Sequence, residues 1–386
     1  MFKITENEYK RRLTEVQKRV KESGLDAILV HSNEADFANI RYFCNYWPIF
    51  ETAGMFIPKS GEPVLIIGPE SETFAMGRTT TTKNIAKILE YRESADPNYP
   101  GLELDTFASI AGKLGGVSAF KKIGVCGYSI LPITIYEALK KSFPNAEIAR
   151  SGIVSEMRKI KSAEEIAALK EGFAVSEKVF EKVLGIIKPG MRETEVVGHV
   201  QRYIYEFGGE YEAHPVYVLS GKNSNNAIGR PTHKVIEKGD LVQFNLGARI
   251  DGYSPSIGRP IVMGKATPEM RKLLEVGLEA HFKSYEWIKG GGSPSEMTAK
   301  FYDFVKAKGC EKNYLYGPAH GLGMIEVEEP WVEASSTYTF QANMTFQVDT
   351  FLLSEDFGLR WENGVRITEN GNEMLSKYRT ELIELA

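Results

Sequence analysis

The chain has 386 residues, a formal net charge of −4, 42% apolar residues and 25% charged residues. Because single hydrophobic cores seldom grow beyond about 250–300 residues, this length favours two domains. The balance of charge excludes a basic field for nucleic acid, and without an apolar signal region or a run of about 18 apolar residues we expect no nucleic-acid or membrane partner.

The N-terminal part predicts an α/β domain with a mixed sheet. Residues 7–23 have the pattern of an amphipathic helix, and Ala27–Val30 is a short apolar strand. Helical and strand-like segments then alternate to about residue 149. This alternation favours an α/β unit, which we place at residues 1–151.

An aromatic loop interrupts this alternation at residues 45–51. It contains Trp47 and Phe50, and one interpretation is packing within its own domain. The other is contact with a partner subunit, because large apolar side chains are seldom left exposed in groups.

A second domain is predicted over residues 152–386. Ser162 is a good helix N-cap, and Glu165 three residues later completes a capping box. The helix that begins there continues to about Leu184. Two helix pairs and two sets of strands follow in similar order, which suggests an internal pseudo-repeat.

A β-hairpin lies at the centre of this second domain. Residues 241–244 form an apolar strand, Asp251-Gly252 is a hairpin turn, and a second strand runs from residue 253 to 262. Paired strands of this kind place Asn245 and Ser256 side by side on one face.

This hairpin resembles the first metal-binding hairpin of the creatinase, prolidase and aminopeptidase P family, the pita-bread hydrolases. Its metallopeptidases carry Asp-Leu-Gly and a second Asp eleven residues later, where this chain has Asn245-Leu246-Gly247 and Ser256. The resemblance implies an α+β pita-bread C-terminal domain with a curved antiparallel sheet. It also implies a homodimer in which the loop around Trp47 and Phe50 reaches the partner's active site.

Other phrases match the same family. Residues 318–323 resemble its His-Gly-x-Gly motif and contribute His320, and Glu328 matches the phrase that follows. Asp349 stands where the family has its first Glu ligand, and Glu362 matches the last one. The family's second His is replaced by Val327.

The charge at these positions argues against a metal. An intact dinuclear site in this family has four carboxylates and one His, with a formal charge of −4. The five matching positions here have a formal charge of −2. They are Asn245, Ser256, His320, Asp349 and Glu362. Because hard cations need anionic oxygen ligands, we expect no metal cofactor. A single divalent ion on His320, Asp349 and Glu362 is the alternative.

Roles without a metal follow from side-chain chemistry. Asp349 and Glu362 are suited to clamp a cationic substrate group, and His320 to shuttle a proton. Asn245 is suited to orient the substrate. Ser256 is a candidate nucleophile, although no His is evident beside it. The residues proposed to bind substrate are His214, Trp47, Phe50, Glu328 and Arg360.

The position of the proposed creatinase base is occupied by Ile228, which leaves that role vacant. His214 is a fallback base, because its strand-like segment can turn it inward.

Three functions remain open on these grounds. The main hypothesis is a metal-independent, creatinase-like hydrolase that cleaves a C–N bond of a small nitrogenous compound. One alternative is an Xaa-Pro dipeptidase or aminopeptidase P-type metallopeptidase. The other is a non-catalytic protein that binds a small molecule.

The cysteines bear on the compartment. Cys44, Cys126 and Cys310 are scattered and odd in number, which predicts free thiols and a cytoplasmic location.

Overall fold

The computed structural model describes residues 2–93 and 101–385. The chain forms two compact units, Ile4–Arg158 and Lys159–Ala386, the second together with the extreme N-terminus. The contacts therefore divide the chain near the end of the helix Ile153–Lys159. The predicted boundary between residues 151 and 152 stays a prediction.

The N-terminal unit is built on a mixed six-stranded sheet, with strand order β4-β3-β2-β1-β5-β6. The β1–β2 and β2–β3 pairs are antiparallel, and the other pairs are parallel. The elements are α1 Glu6–Glu22, β1 Ala27–Asn33, α2 Ala38–Cys44, β2 Thr52–Pro58, β3 Val64–Ile67, α3 Glu72–Arg78, β4 Ile85–Lys87, α4 Phe107–Lys113, β5 Lys122–Cys126, α5 Ile133–Ser142, β6 Glu147–Arg150 and α6 Ile153–Lys159.

Local signals account for the first elements of this unit. Thr5 caps α1, and Tyr9, Val16 and Val20 form its buried stripe. Strand β1 is buried along nearly its whole length, because the sheet is covered on both faces. The predicted α/β unit with a mixed sheet is confirmed.

The C-terminal unit contains a nine-stranded sheet in its described residues, with main order β13-β12-β14-β15-β11-β9-β8 and β16 and β17 paired at β15 and β11. All its pairs are antiparallel except β11–β17. The elements are α7 Ala163–Leu184, α8 Glu193–Glu206, β7 Tyr211–Glu212, β8 Tyr217–Ser220, β9 Leu241–Leu246, β10 Ala248–Arg249, β11 Ile257–Met263, α9 Pro268–Trp287, α10 Pro294–Ala307, β12 Ala319–Gly321, β13 Glu328–Val332, β14 Thr345–Leu353, β15 Gly358–Ile367, β16 Asn372–Met374 and β17 Ile383–Leu385.

Helices cover one face of this sheet. The predicted capping box is present, since Ser162 Oγ accepts from the Glu165 N–H and Glu165 accepts from the Ser162 N–H. Trp361 on β15 is fully buried in the core that α9 and α10 help to form. The opposite face of β15 is left to carry polar side chains, because successive strand residues point to opposite sides.

The central hairpin forms as predicted, but its second strand is shorter. Asp251 and Gly252 both have positive φ, as a tight hairpin turn requires. Strand β11 begins at Ile257, whereas the sequence predicts a start at residue 253. The described helices include none with the length and apolar character needed to cross a membrane.

Candidate metal centre and substrate cavity

A cavity of about 820 Å³ opens within the C-terminal unit, above the polar face of the sheet. Four of the five residues predicted for the catalytic group line it: Asn245, His320, Asp349 and Glu362. They come from four different strands, β9, β12, β14 and β15, so the sheet brings together residues that are distant in sequence.

The hairpin positions Asn245 at the floor of the cavity. Asn245 pairs with Gly258 across β9 and β11, and a Cβ at Gly258 would lie 2.6 Å from Asn245 Oδ1. Glycine is therefore required there for the amide to lie over the strand. Ser256, two residues earlier, belongs to the same face and is fully buried.

Glu362 is the most buried acid of the site. It lies opposite Asp349 across β14 and β15, and its Oε2 accepts a hydrogen bond from Asn245 Nδ2. Burial raises the pKa of Glu362 well above its usual range, and the nearby charges of Glu326 and Asp349 raise it further. Burial also raises the pKa of Glu326, with the neighbouring Glu362 opposing.

His320 completes a compact group of ligand atoms. Its Nδ1 lies 3.1 Å from Gly321 O, and a carbonyl only accepts, so Nδ1 carries the proton and Nε2 is free to bind a metal. Nε2 is 3.8 Å from Glu326 Oε1. One ligand atom from each of His320, Glu326 and Glu362 lies within 4.8 Å of the others.

Asp349, which the sequence offers as a ligand of a single ion, is held by a phenol hydroxyl and a guanidinium instead. Its Oδ2 accepts from Tyr316 Oη at 2.8 Å and from Arg360 Nη1 at 3.2 Å. The Arg360 guanidinium also lies 4.0 Å from Glu362 and is surrounded by the rings of Tyr217, Tyr316 and Phe351. Burial alone would lower the pKa of Arg360, but Asp349, Glu362 and the neighbouring tyrosines raise it overall, so Arg360 is a fixed cation.

One divalent ion fits these donors. His320, Glu326 and Glu362 provide one imidazole and two carboxylates, a set that suits zinc and similar ions. Asn245 Oδ1, Asp349 Oδ1 and Glu362 Oε1 are buried acceptors without a hydrogen-bond donor among the described residues. Buried acceptors of this kind call for a cation or a donor, so a bound ion is chemically reasonable.

Two ions fit less well. The two hairpin positions offer an amide and a hydroxyl in place of carboxylates, and the charge of Asp349 is already opposed by Arg360. Two closely spaced hard cations need more anionic oxygen than this arrangement supplies. The donor set therefore favours a single ion.

His214 and Ser256 form a direct pair beside this group. His214 Nε2 lies 2.9 Å from Ser256 Oγ, and His214 Nδ1 lies 2.7 Å from Pro215 O. The prediction that no His lies beside Ser256 is wrong, because the chain entering β8 turns His214 toward the hairpin. Burial lowers the pKa of His214, with Glu362 opposing, so the imidazole is neutral at neutral pH.

The mouth of the cavity is apolar. Ile228, Leu315, Val327 and Trp331 line it and remain exposed, with Ile228 88% accessible. Ile228 and Val327 stand at the two positions where the family resemblance predicts His. The rim therefore offers apolar contacts to a ligand.

The remaining predicted substrate residues lie in different surroundings. Arg360 and His214 line the cavity, whereas Glu328 lies outside its lining and accepts from Lys161 Nζ at 3.2 Å. In the N-terminal unit, Trp47 donates to Glu34 O and packs on Phe37, while Phe50 is 81% exposed.

Sequence reasoning missed Glu326 and Tyr316. Both are outside the positions that the family pattern marks, although Glu326 is an acid six residues after His320. Its proximity to the motif is a signal, but an acid beside a glycine-rich loop is usually solvated. Only the path of the chain between β12 and β13 turns it inward.

Comparisons with known proteins agree with this architecture. Residues 167–369 match metallopeptidase family M24, and residues 12–160 match the creatinase/prolidase N-terminal domain. An Xaa-Pro dipeptidase of Pyrococcus horikoshii is 27% identical over 363 residues, 94% of this chain and 95% of that protein. An uncharacterized peptidase of Bacillus subtilis is 31% identical over 233 residues, 60% of this chain and 66% of that one.

Solved structures give the same result. The structure of an Xaa-Pro dipeptidase from Bacillus anthracis superposes with a TM-score of 0.82 at 27% identity, covering 97% of this chain and 99% of that one. An X-Pro aminopeptidase from Thermotoga maritima has a TM-score of 0.84 at 22% identity, with coverage of 97% and 99%. The second likeness concerns the fold alone.

These findings correct two predictions. The metal-independent, creatinase-like hydrolase is wrong as the main hypothesis, because the matched family is one of metallopeptidases and the full-length relatives include Xaa-Pro dipeptidases. The expected absence of a metal cofactor is wrong for the same reason. The charge at the family's own ligand positions is incomplete, because Glu326 lies outside them.

With its creatinase/prolidase N-terminal domain and pita-bread C-terminal domain, the chain belongs to metallopeptidase family M24.

Proposed function

We propose that this protein is a metal-dependent hydrolase that cleaves the amide bond of short peptides of the Xaa-Pro dipeptide class. The observation that carries the proposal is the buried group of His320, Glu326 and Glu362 at the floor of an 820 Å³ cavity. The names of the full-length relatives support the substrate class.

The proposed cofactor is one divalent ion held by His320, Glu326 and Glu362. When bound, such an ion polarises the scissile carbonyl and lowers the pKa of a water molecule. Nδ1–H of His320 is anchored on Gly321 O, which holds the ring in the orientation that presents Nε2. Asn245 holds the Glu362 carboxyl from the other side through Nδ2.

The other lining residues are proposed to bind the substrate. Arg360 and Tyr316 hold Asp349 in one orientation, with its second oxygen left to accept from a substrate N–H. The apolar rim, including Leu315 and Trp331, suits a pyrrolidine ring or another apolar side chain.

Two further proposals concern the whole protein. The exposed Ile49 and Phe50 support a homodimer, because adjacent apolar side chains gain from being covered. The three cysteines are free and buried, which supports a reducing cytoplasm.

The function is tested with protein purified without added metal. We expect hydrolysis of Ala-Pro or Gly-Pro in manganese, cobalt or zinc, loss on chelation and recovery on re-addition, with about one ion per chain. Hydrolysis that survives complete chelation would contradict the metal. Failure on every Xaa-Pro dipeptide, with turnover of other dipeptides, would contradict the substrate class.

Glu326 has a test of its own. Glu326→Gln should weaken metal binding by at least about tenfold, because it removes an anionic ligand from a buried site. Glu296→Gln, which changes an acid whose side chain is 72% exposed, is the matched control. Calorimetric titration measures the metal affinity. Equal affinity in both variants would show that Glu326 is not a metal ligand.

A further inference from the structure

The pair formed by His214 and Ser256 has a defined direction of proton donation. Nδ1 of His214 lies 2.7 Å from the carbonyl oxygen of Pro215, and a carbonyl has no proton to give. Nδ1 is therefore the protonated nitrogen of the neutral ring, and Nε2 is an acceptor. The partner of Nε2, at 2.9 Å, is Ser256 Oγ, which must donate.

This arrangement matches the requirements of an activated serine. An imidazole accepts the hydroxyl proton, and a third group, here the Pro215 carbonyl, fixes the tautomer and orientation of the ring. The distance of 2.9 Å is within the range expected for a nucleophile and its base. Neither residue belongs to the proposed metal ligands.

The pair lies beside the cavity, which His214 helps to line. His214 and Asn245 line the cavity, and Ser256 lies on the same face of the hairpin as Asn245. The Asn245 amide fills the space that a side chain at Gly258 would take, and Ser256 is fully buried, so the pair meets the cavity through His214. Arg360 lines the same cavity and is a cation there.

We propose that Ser256 is a nucleophile activated by His214 and that it accepts an acyl group from a carbonyl substrate bound in this cavity. The proposal goes beyond the proposed peptidase function, because acylation of Ser256 is a separate chemical event from attack by water.

The proposed reaction balances with water as the only co-reactant. Ser256 Oγ bonds to the carbonyl carbon as its proton moves to His214 Nε2. The adduct then breaks the bond from carbon to the leaving nitrogen or oxygen, which takes the proton from Nε2 and departs. Water, deprotonated by Nε2, next attacks the seryl ester. Collapse of that adduct releases the acid and returns the proton to Ser256.

The test uses covalent probes on the full chain as purified. A fluorophosphonate should add once per chain, and peptide mapping by mass spectrometry should place the adduct on Ser256. With 4-nitrophenyl acetate, a burst of about one 4-nitrophenolate per chain is expected. Protein that stays unlabelled while a known serine hydrolase reacts in the same tube, or label on another residue, would overturn the proposal.

Substitutions test whether His214 activates the Ser256 hydroxyl or whether Ser256 is merely accessible to the probe. Ser256→Ala should abolish labelling, and His214→Gln should slow it at least about 100-fold, because general-base catalysis supplies that much or more. Ser335→Ala, at an exposed loop position, should react like the unmodified protein. Labelling at an unchanged rate in His214→Gln would overturn the role of His214.

Folding and peptidase activity are followed independently. Melting curves check that each variant folds, and if His214→Gln does not, His214→Asn takes its place with the same expectation. Dipeptide hydrolysis is assayed on the same samples. Labelling without dipeptide turnover would reject the proposed function alone, and turnover without labelling would reject the Ser256 proposal alone.

Discussion

At the scale of single residues, the site differs from its family in which side chains offer charged oxygen atoms to a metal. Asn245 and Ser256 replace two acids, and each offers a neutral oxygen where the family has a charged one. Glu326 adds one charge back from a neighbouring position. The cavity therefore retains enough anionic oxygen for one ion, and its hairpin side becomes available for other chemistry.

Restoring both acids should restore a second metal position. In the double variant Asn245→Asp, Ser256→Asp, we expect the metal content to rise from about one ion per chain to about two, because divalent ions require anionic ligands. Native mass spectrometry with manganese or zinc measures the ratio. A control with the same two changes at the exposed Asn145 and Ser60 should stay at one. A ratio unchanged in the double variant would contradict the argument from charge.

The buried acid Glu51 makes the stability of the protein depend on pH. Glu51 in the N-terminal unit is only 4% exposed, and burial raises its pKa from 4.5 to about 7. The nearby Ser71 side chain opposes this shift, and the charge of Glu70 adds to it. Because the folded state favours the neutral acid, its contribution to stability is complete below pH 4.5 and is lost as the pH rises through about 7.

Glu51→Gln should therefore be the more stable protein at pH 8 and should lose less stability between pH 5.5 and pH 8. The difference at pH 8 should be about 3–4 kcal/mol at most, since each unit of pKa shift corresponds to about 1.4 kcal/mol. Thermal melting at both pH values measures it. Glu22→Gln, with a side chain 61% exposed, is the control. Parallel pH profiles for Glu51→Gln and the unmodified protein would refute the prediction.

At the scale of elements, the alternation of strand side chains builds the site. On β15, Arg360 and Glu362 face the cavity, while Trp361 between them is buried in the core behind the sheet. A shift of register by one residue would exchange these faces. The apolar packing of Trp361 therefore also determines where the charged side chains lie.

The start of helix α7 is an element whose stability can be measured. Ser162→Ala removes the hydroxyl that accepts from the Glu165 N–H, and should lower the free energy of unfolding by about 1 kcal/mol. Urea denaturation followed by circular dichroism measures the change. Ser335→Ala, in an exposed loop, should be neutral. A Ser162→Ala protein as stable as this control would show that the cap contributes nothing.

At the scale of the whole molecule, exposed apolar side chains predict association. Ile49 is 48% exposed and Phe50 is 81% exposed, next to each other in the N-terminal unit. Light scattering should give about twice the 43.2 kDa chain mass at micromolar concentration. Ile49→Ser with Phe50→Ser should weaken the dimer by at least about tenfold, since buried aromatic side chains dominate interfaces.

The matched control for this experiment is Ile133→Ser, which removes an apolar side chain that is 71% exposed in the same unit. It should leave the mass unchanged. A monomeric unmodified protein would refute the homodimer, and a dimer that survives the double change would move the interface away from this loop.

Local signals made much of this protein predictable. The capping box of α7, the Asp251-Gly252 turn and the alternation of strand residues depend on neighbours in sequence, and each is found where the sequence places it. The family motifs around Asn245 and Glu362 also predicted the two-domain fold and four of the residues that line the cavity. They led to a metal-free reaction, which is wrong, because the motifs mark only the positions that the family uses.

The tertiary structure alone decided which further groups complete the site. Glu326 reaches His320 and Glu362 through the path of the loop before β13, and His214 meets Ser256, 42 residues away, through the approach of the chain to β8. The contact of His214 with Ser256 has no local signal, because it depends on how strands distant in sequence are ordered in the sheet. The closeness of Glu326 to the His320 motif did not by itself show that its side chain turns inward. The physical reason is that charge and hydrogen bonding act through space, whereas sequence patterns report only what lies close along the chain.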